Sequence, residues 1–185
     1  LKRIALINPT YNAIISLRDQ SELLAEAKTH DNMLAAGKSK GWLHGIPQAI
    51  KDLSPTAGIP TIYGSPLMTK NVPLEDGLMV QRMKAAGAII IGKTNIPEFG
   101  LGSHSFNTVF GVTKNAFDVT KTAGGSSGGA AVALAKHLLP VADGSDFMGS
   151  LRNPAGWNNI YGMRPSQGRV PMWPATDVWV SPMST

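Results

Sequence analysis

Two knots of glycine and serine constrain this chain more than any other feature in it. Gly124-Gly125-Ser126-Ser127-Gly128-Gly129 and Gly144-Ser145-Asp146-Phe147-Met148-Gly149-Ser150 flank a short apolar element within the stretch from Lys121 to Pro154. Glycine at this density lets the backbone take positive φ and approach other groups closely. Serines set among such glycines are candidates for chemistry rather than for packing. Between the knots, Gly128 to Leu138 is small or apolar nearly all round (Ala130, Ala131, Val132, Ala133, Leu134, Ala135), which predicts a buried helix starting at the first knot. Leu139 to Ala142 then reads as a short strand leading into the second.

The residues upstream supply partners for that helix. Asn8-Pro9 punctuates the first segment, and Ala13 to Leu17 reads as a short strand. Asp19 to Ala36 predicts a helix, with Asp19 as cap and Glu22 three residues on. Leu23, Leu24, Ala27 and Leu34 fall near one face of it, and Gly37 sits at the C-terminal cap position. The apolar segment ending at Ile50 predicts a buried strand that delivers Lys51 to its end. A lysine there ordinarily snorkels to the surface or pairs with a neighbour such as Asp52. Glu75 to Ala86 predicts a second amphipathic helix, with Met79, Met83 and Ala86 on one side and Gly87 closing it. Ala88 to Ile91 reads as a central strand, and Gly92-Lys93-Thr94-Asn95 through Gly100 as a loop or short helical turn. Residues 101–121 are polar and irregular, and a long polar loop inside a compact domain is more often functional than idle. Strand, helix and strand in alternation give an α/β class around a central sheet. With no linker composition to divide it, 1–185 reads as a single domain.

Composition removes several functions. The hydrophobic fraction of 43% and charged fraction of 16% describe a globular chain. A net charge of +5 carried on scattered Lys and Arg argues against nucleic acid, whose binding usually shows a basic stripe or a recognisable module. The absence of cysteine rules out disulfides, thiolate nucleophiles and Cys-type metal sites, and fits a cytoplasmic location. No apolar run approaches the ~20 residues of a membrane span. A homo-oligomer stays open.

Three chemistries compete for the serines. A phosphate loop is disfavoured because neither G-x-x-x-x-G-K-[ST] nor G-x-G-x-x-G is met at the knots. A nucleophile elbow fits formally, since Gly125-Ser126-Ser127-Gly128-Gly129 satisfies G-x-S-x-G with Ser127 in the middle. Its general base must follow in the chain, however, and only His137 does, just after the motif and too close to return. The third needs no histidine: an unprotonated lysine can activate a serine directly or through a second hydroxyl.

At this point the sequence resembles the amidase signature family. The resemblance rests on Gly45-Ile46-Pro47 through Lys51-Asp52, on Gly92-Lys93-Thr94-Asn95 with Pro97-Glu98, and on Gly124 to Gly129. It continues through Asp143-Gly144-Ser145-Asp146 to Gly149-Ser150-Leu151-Arg152, Pro154 and Gly168-Arg169-Val170-Pro171, in the family's order. It implies an α/β fold with a central mixed β-sheet flanked by helices, of which this chain looks like a truncated N-terminal portion. It also implies a Ser–cis-Ser–Lys triad in an amidohydrolase that uses no metal and no cofactor. Ser150 matches the nucleophile, Ser126 the bridging serine on a cis peptide, and Lys51 the general base. Ser127 would support the bridge, and Asp146 and Arg152 would brace the nucleophile loop. The N–H groups of Phe147, Met148, Gly149 and Ser150 would hold an oxyanion, and Gly100 would line the substrate site. For Lys51 to act near pH 7 its pKa must fall by about 3 units, worth roughly 4 kcal/mol, which burial can supply.

The resemblance implies a small-molecule amide as substrate. An amidotransferase component of the same fold, releasing ammonia for a partner, is the alternative reading, and a non-enzymatic anion nest a remote one. Two residues depart from the family pattern: Met148 stands where glycine is frequent, and Ala123 where proline is common. Met148 is expected to narrow or reshape the acyl pocket.

Overall fold

The computed structural model describes residues 1–174. The last residues of the sequence, including Ser181 to Thr185, lie outside them. Five α-helices and five strands are formed there, in the order α1 (Lys2–Tyr11), β1 (Ile14–Ile15), α2 (Gln20–Ala35), β2 (Pro47–Lys51), α3 (Leu78–Ala85), β3 (Ile89–Thr94), β4 (Phe106–Asn107), β5 (Gly111–Val112), α4 (Gly128–Ala135) and α5 (Arg152–Trp157).

The central sheet runs β1-β3-β2. β2 and β3 are parallel and β1 is antiparallel to β3, so the sheet is mixed, as the resemblance implies. The parallel pair is joined through α3, which is the βαβ solution to connecting two parallel strands. β3 is buried along its whole length and occupies the middle, as its β-branched run predicts. It extends through Lys93 and Thr94, residues that the sequence places in a loop.

Alternation along the strands sends their apolar side chains to two separate cores. Ala49, Ile89 and Ile91 pack with Ile4 of α1, Leu23 of α2 and Val132 and Ala133 of α4. Ile50, Ala88 and Ile90 pack on the other face with Val80 of α3 and with Leu43 and Ile59. Met79, Met83 and Ala86 lie against this second core, as the periodicity of α3 predicts.

α4 is the helix expected between the knots, and its first six residues are buried. Its approach to the sheet depends on Gly129. A Cβ there would collide with the Asn95 N and would come within 2.7 Å of the Ala13 O, both main-chain atoms that have no room to yield.

Other expectations change too, beginning with 101–121, where β4 and β5 pair within the stretch that reads as irregular. Asn8-Pro9 does not end a segment: α1 runs through it, because Pro9 forfeits only one helical bond while Asn8 secures the exit. The Asn8 Oδ1 accepts from the Ala13 and Ile14 N–H groups at 2.9 and 2.8 Å. In α2, Asp19 caps as predicted, but the buried face is Leu23 and His30, while Leu24 and Leu34 are exposed. α3 begins at Leu78 rather than Glu75, since the Asp76 carboxylate is occupied by the Ala57 N–H and the Lys84 amine. Leu139 to Ala142 forms no strand: Pro140 lacks a ladder donor.

Candidate active site

β2 ends at Lys51, and its side chain passes under the N-terminus of α4, leaving the residue 1% exposed. Its Nζ lies 2.8 Å from the Ser126 Oγ, 2.8 Å from the Ser127 Oγ and 2.9 Å from the Ser145 Oγ, with the Ser145 carbonyl oxygen further off at 3.4 Å. The first knot brings two adjacent serines onto one amine and the second knot brings a third. The peptide bond between Gly125 and Ser126 is cis. Ser150 is half-buried, and its contact with the group is through the main chain: its carbonyl accepts the Ser127 N–H at 3.2 Å.

Burial pushes Lys51 down to about 7, with the charges of Asp143 and Asp146 pulling the other way. The nature of its partners matters as much as the shift. A hydroxyl can donate or accept. When Lys51 loses a proton, one of its three serines can rotate and donate into the vacated lone pair, so the neutral amine keeps its hydrogen bonds. The expectation of a snorkelling or Asp52-paired lysine is not met.

A second buried lysine provides the contrast. Lys93 is fully buried on β3, and its Nζ donates to the Ser54 O at 2.6 Å, the Thr56 Oγ1 at 3.0 Å and the Thr61 Oγ1 at 3.2 Å. A carbonyl only accepts, so the short bond to Ser54 favours the protonated amine. Burial lowers Lys93 only to about 8, with Asp52 opposing. Burial likewise pushes Asp52 up to about 6 against the pull of Lys93, and its carboxylate accepts from the Ile62 and Gly64 N–H groups. This pair fixes the 52–64 loop rather than offering a proton acceptor.

The second knot turns on Asp146, which is fully buried. Its oxygens accept from the Gly149 N–H at 2.8 Å and the Leu151 N–H at 3.1 Å, and from the Arg152 Nε and Nη2 at 2.9 Å each. Burial alone would raise this carboxyl, but the Arg152 guanidinium and the backbone donors outweigh it and hold it well below the usual carboxylate range. Asp146 and Arg152 thus form a salt bridge at 2.9 Å. One expected donor changes role: the Gly149 N–H faces Asp146 rather than an oxyanion, because the carboxylate is the stronger local acceptor. Phe147 and Met148 project outward at 54% and 81% exposure.

Gly100 closes a turn whose Phe99 N–H bonds the Tyr63 O at 2.7 Å. With φ at 72°, a Cβ on Gly100 would come within 2.6 Å of the Leu53 Cδ1. Gly100 therefore sits against the residue two beyond Lys51.

The elbow alternative fails on geometry. Ser127 is the N-cap of α4 and His137 lies beyond its C-terminal end, roughly 12 Å of helix away. Among the described residues no three His, Asp or Glu side chains cluster as a metal site would require. None of their helices is long and apolar enough to cross a membrane.

The sequence profile of the Amidase family matches residues 1–184. The chain belongs to the amidase signature family. A glutamyl-tRNA(Gln) amidotransferase component from Alkaliphilus metalliredigens (strain QYMF) is 45% identical over 92% of this chain and 34% of its own length. Among solved structures, a bacterial aryl acylamidase of the amidase signature family superposes with a TM-score of 0.86 at 35% identity, over 92% of this chain and 36% of that one. The peptide amidase of Stenotrophomonas maltophilia gives 0.78 at 34% identity, over 85% and 33%. This amidase signature chain thus spans about a third of the length of the curated relatives it matches.

Lys51, Ser126 and Ser127, which the sequence marks as partners, are neighbours in space. Two residues of the site have no role assigned from the sequence: Ser145, for which its setting in a glycine knot is the available signal, and Lys93, which falls in a segment that reads as a loop.

Proposed function

We propose that this chain carries the catalytic centre of an enzyme that cleaves a carboxylic amide through an acyl-serine. The observation that carries the reading is the buried Lys51 amine, lowered to about 7 and 2.8 Å from the Ser126 Oγ. Ser150 Oγ attacks the amide carbonyl, forming a C–O bond, while its proton passes to the Ser126 Oγ and the Ser126 proton to the Lys51 Nζ. Collapse of the tetrahedral intermediate breaks the C–N bond, and the same relay returns the proton to the departing amine. Water then hydrolyses the ester by the reverse path, giving the acid and restoring Ser150. The N–H groups of Phe147, Met148 and Ser150 are the oxyanion donors, each worth about 3 kcal/mol in the transition state. Asp146 and Arg152 hold the loop that presents them, Ser127 holds the amine, and Gly100 lines the substrate side. The chain is one amidase signature domain, with the rest of the pocket supplied by residues corresponding to those beyond its match to the longer relatives.

Fluorophosphonate labelling with peptide mapping tests this on the wild type, Ser150→Ala and Lys51→Ala. Label on Ser150 that disappears in both variants is expected. A label on Ser127, or one indifferent to Lys51, overturns the mechanism.

A second reading rests on the glutamyl-tRNA(Gln) amidotransferase components among the relatives. In it the same acyl-enzyme forms from glutamine and the ammonia passes to a partner protein. Preference for glutamine over other amides, with co-purification of companion chains, favours this reading.

A further inference from the structure

Asp143 has no part in the mechanism above, yet it touches the base directly. Both its oxygens accept the Lys51 backbone N–H, at 3.1 Å each. That N–H points away from the sheet, because the next one along, of Asp52, is the one directed at β3 through the Thr94 O. The carboxylate therefore caps the outer edge of β2 at the residue whose amine meets the serines. It also stands in the wall between two cavities, one of about 370 Å³ beside Lys51, Tyr63 and Val80, the other of about 600 Å³ along α4.

The charges around it are few. Lys51 and Lys93 are the cations acting on Asp143, while Asp143 and Asp146 are the anions acting on Lys51. Asp146 is already matched by Arg152, and Lys93 by Asp52. Asp143 is left as the anion whose carboxylate is hydrogen-bonded to the base residue itself. Burial raises its own proton affinity, opposed by the Lys51 N–H and the two ammonium groups.

We infer that Asp143 is a positioning residue for the base, clamping the Lys51 backbone and setting by its charge how firmly the amine holds a proton. The inference rests on the amidase reading above. A carboxylate near an amine favours the ammonium form. Asp143 thus keeps Lys51 from losing its proton too far below neutrality, and leaves it strong enough to take one from a serine.

The test is the pH dependence of fluorophosphonate labelling at Ser150 in the wild type, Asp143→Asn and Asp143→Glu. Asparagine keeps an oxygen for the N–H and removes the charge, so its acid limb moves down by about one pH unit. Below the limb, it labels about tenfold faster than wild type. Glutamate keeps the charge and holds the wild-type limb. A purely structural role predicts lower rates with no movement of the limb, and an unmoved limb in the folded Asp143→Asn protein overturns the proposal. If Asp143→Asn melts below the assay temperature, Asp143→Glu decides: a displaced limb overturns the proposal. Absence of Ser150 labelling in the wild type overturns the amidase reading and this inference with it. Normal wild-type labelling with an unmoved variant limb removes the inference alone.

Discussion

Lys51 and Lys93 stand on adjacent strands and send their amines to opposite faces of one sheet. The register makes this so: Ile50 pairs with Lys93, so Lys93 shares the face of Ile50 and Lys51 takes the other. One amine meets three hydroxyls within 2.9 Å and the Ser145 carbonyl at 3.4 Å, the other a carbonyl at 2.6 Å and two threonines. Two buried lysines in one sheet thereby acquire different chemistry from their acceptors.

For Lys51 the sign of the pH effect follows from its depressed pKa, 10.5 falling to about 7 on folding. Between those values the unfolded chain binds more protons than the folded one, so stability rises with pH. Below pH 7 the full cost applies, on the order of 4 kcal/mol. Urea denaturation at pH 6 and pH 9 is expected to show wild type gaining stability relative to Lys51→Met. Ser150 labelling should rise through the same region near pH 7.

Lys93→Met is expected to destabilise by about 3 kcal/mol or more, since it leaves the Asp52 charge and the Ser54 carbonyl buried without their cation. Denaturant midpoints measure this. An effect as small as that of a surface substitution would show that the 52–64 loop is held by other means.

Asp146→Asn removes the charge that gathers Arg152 and the loop N–H groups. A loss of roughly 2–3 kcal/mol is expected, with at least a tenfold fall in Ser150 labelling. Because the folded-state pKa of Asp146 is depressed, its contribution is present above the unfolded value and is lost as pH falls. Acid unfolding curves should differ between wild type and variant in that low range and converge only where the wild-type Asp146 carboxyl is neutral in the folded as well as the unfolded chain.

Gly129→Ala adds one methyl where three backbone atoms stand within 2.7 Å. Overpacking against immovable backbone typically costs about 1–3 kcal/mol or more. A thermal melt of Gly129→Ala beside Gly156→Ala, where a Cβ meets nothing within 4 Å, separates packing from helix propensity.

Met148→Gly keeps the backbone N–H and removes a side chain that is 81% exposed. Acyl-chain preference across a series of amides or activated esters is expected to broaden toward bulkier acyl groups. Unchanged preference would remove Met148 from the pocket wall.

The site is more legible in the sequence than the fold around it. Glycines of the first knot announce a close approach, and Gly129 makes it, because steric demand is local and only glycine satisfies it. Lys51 is marked by an apolar run ending in a charge. Lys93 carries the same mark after Ile89 to Ile91, but the intervening Gly92 reads as a turn when it is a strand residue packed against the Ile15 and Ser16 carbonyls. Pro9 misleads for the opposite reason: a proline near a helix end is tolerated when side chains such as Asn8 replace the lost bond. Hydrophobicity alone suggests a strand at Leu139 to Ala142, whereas the segment that follows is held by the Asp143 carboxylate and the Ser145 hydroxyl, which no periodicity records.

The contacts that converge on the Lys51 amine span 75, 76 and 94 residues of chain. Closing loops of that length is entropically costly and comes late when a domain assembles. Local helices and the β2–β3 pair can form without the serines in place, but the serines cannot meet the amine until the whole chain from Lys51 to Ser145 has found its route. In a refolding reaction, Ser150 reactivity is therefore expected to return after helical signal does, so that the competent site serves as a clock for the final step of assembly.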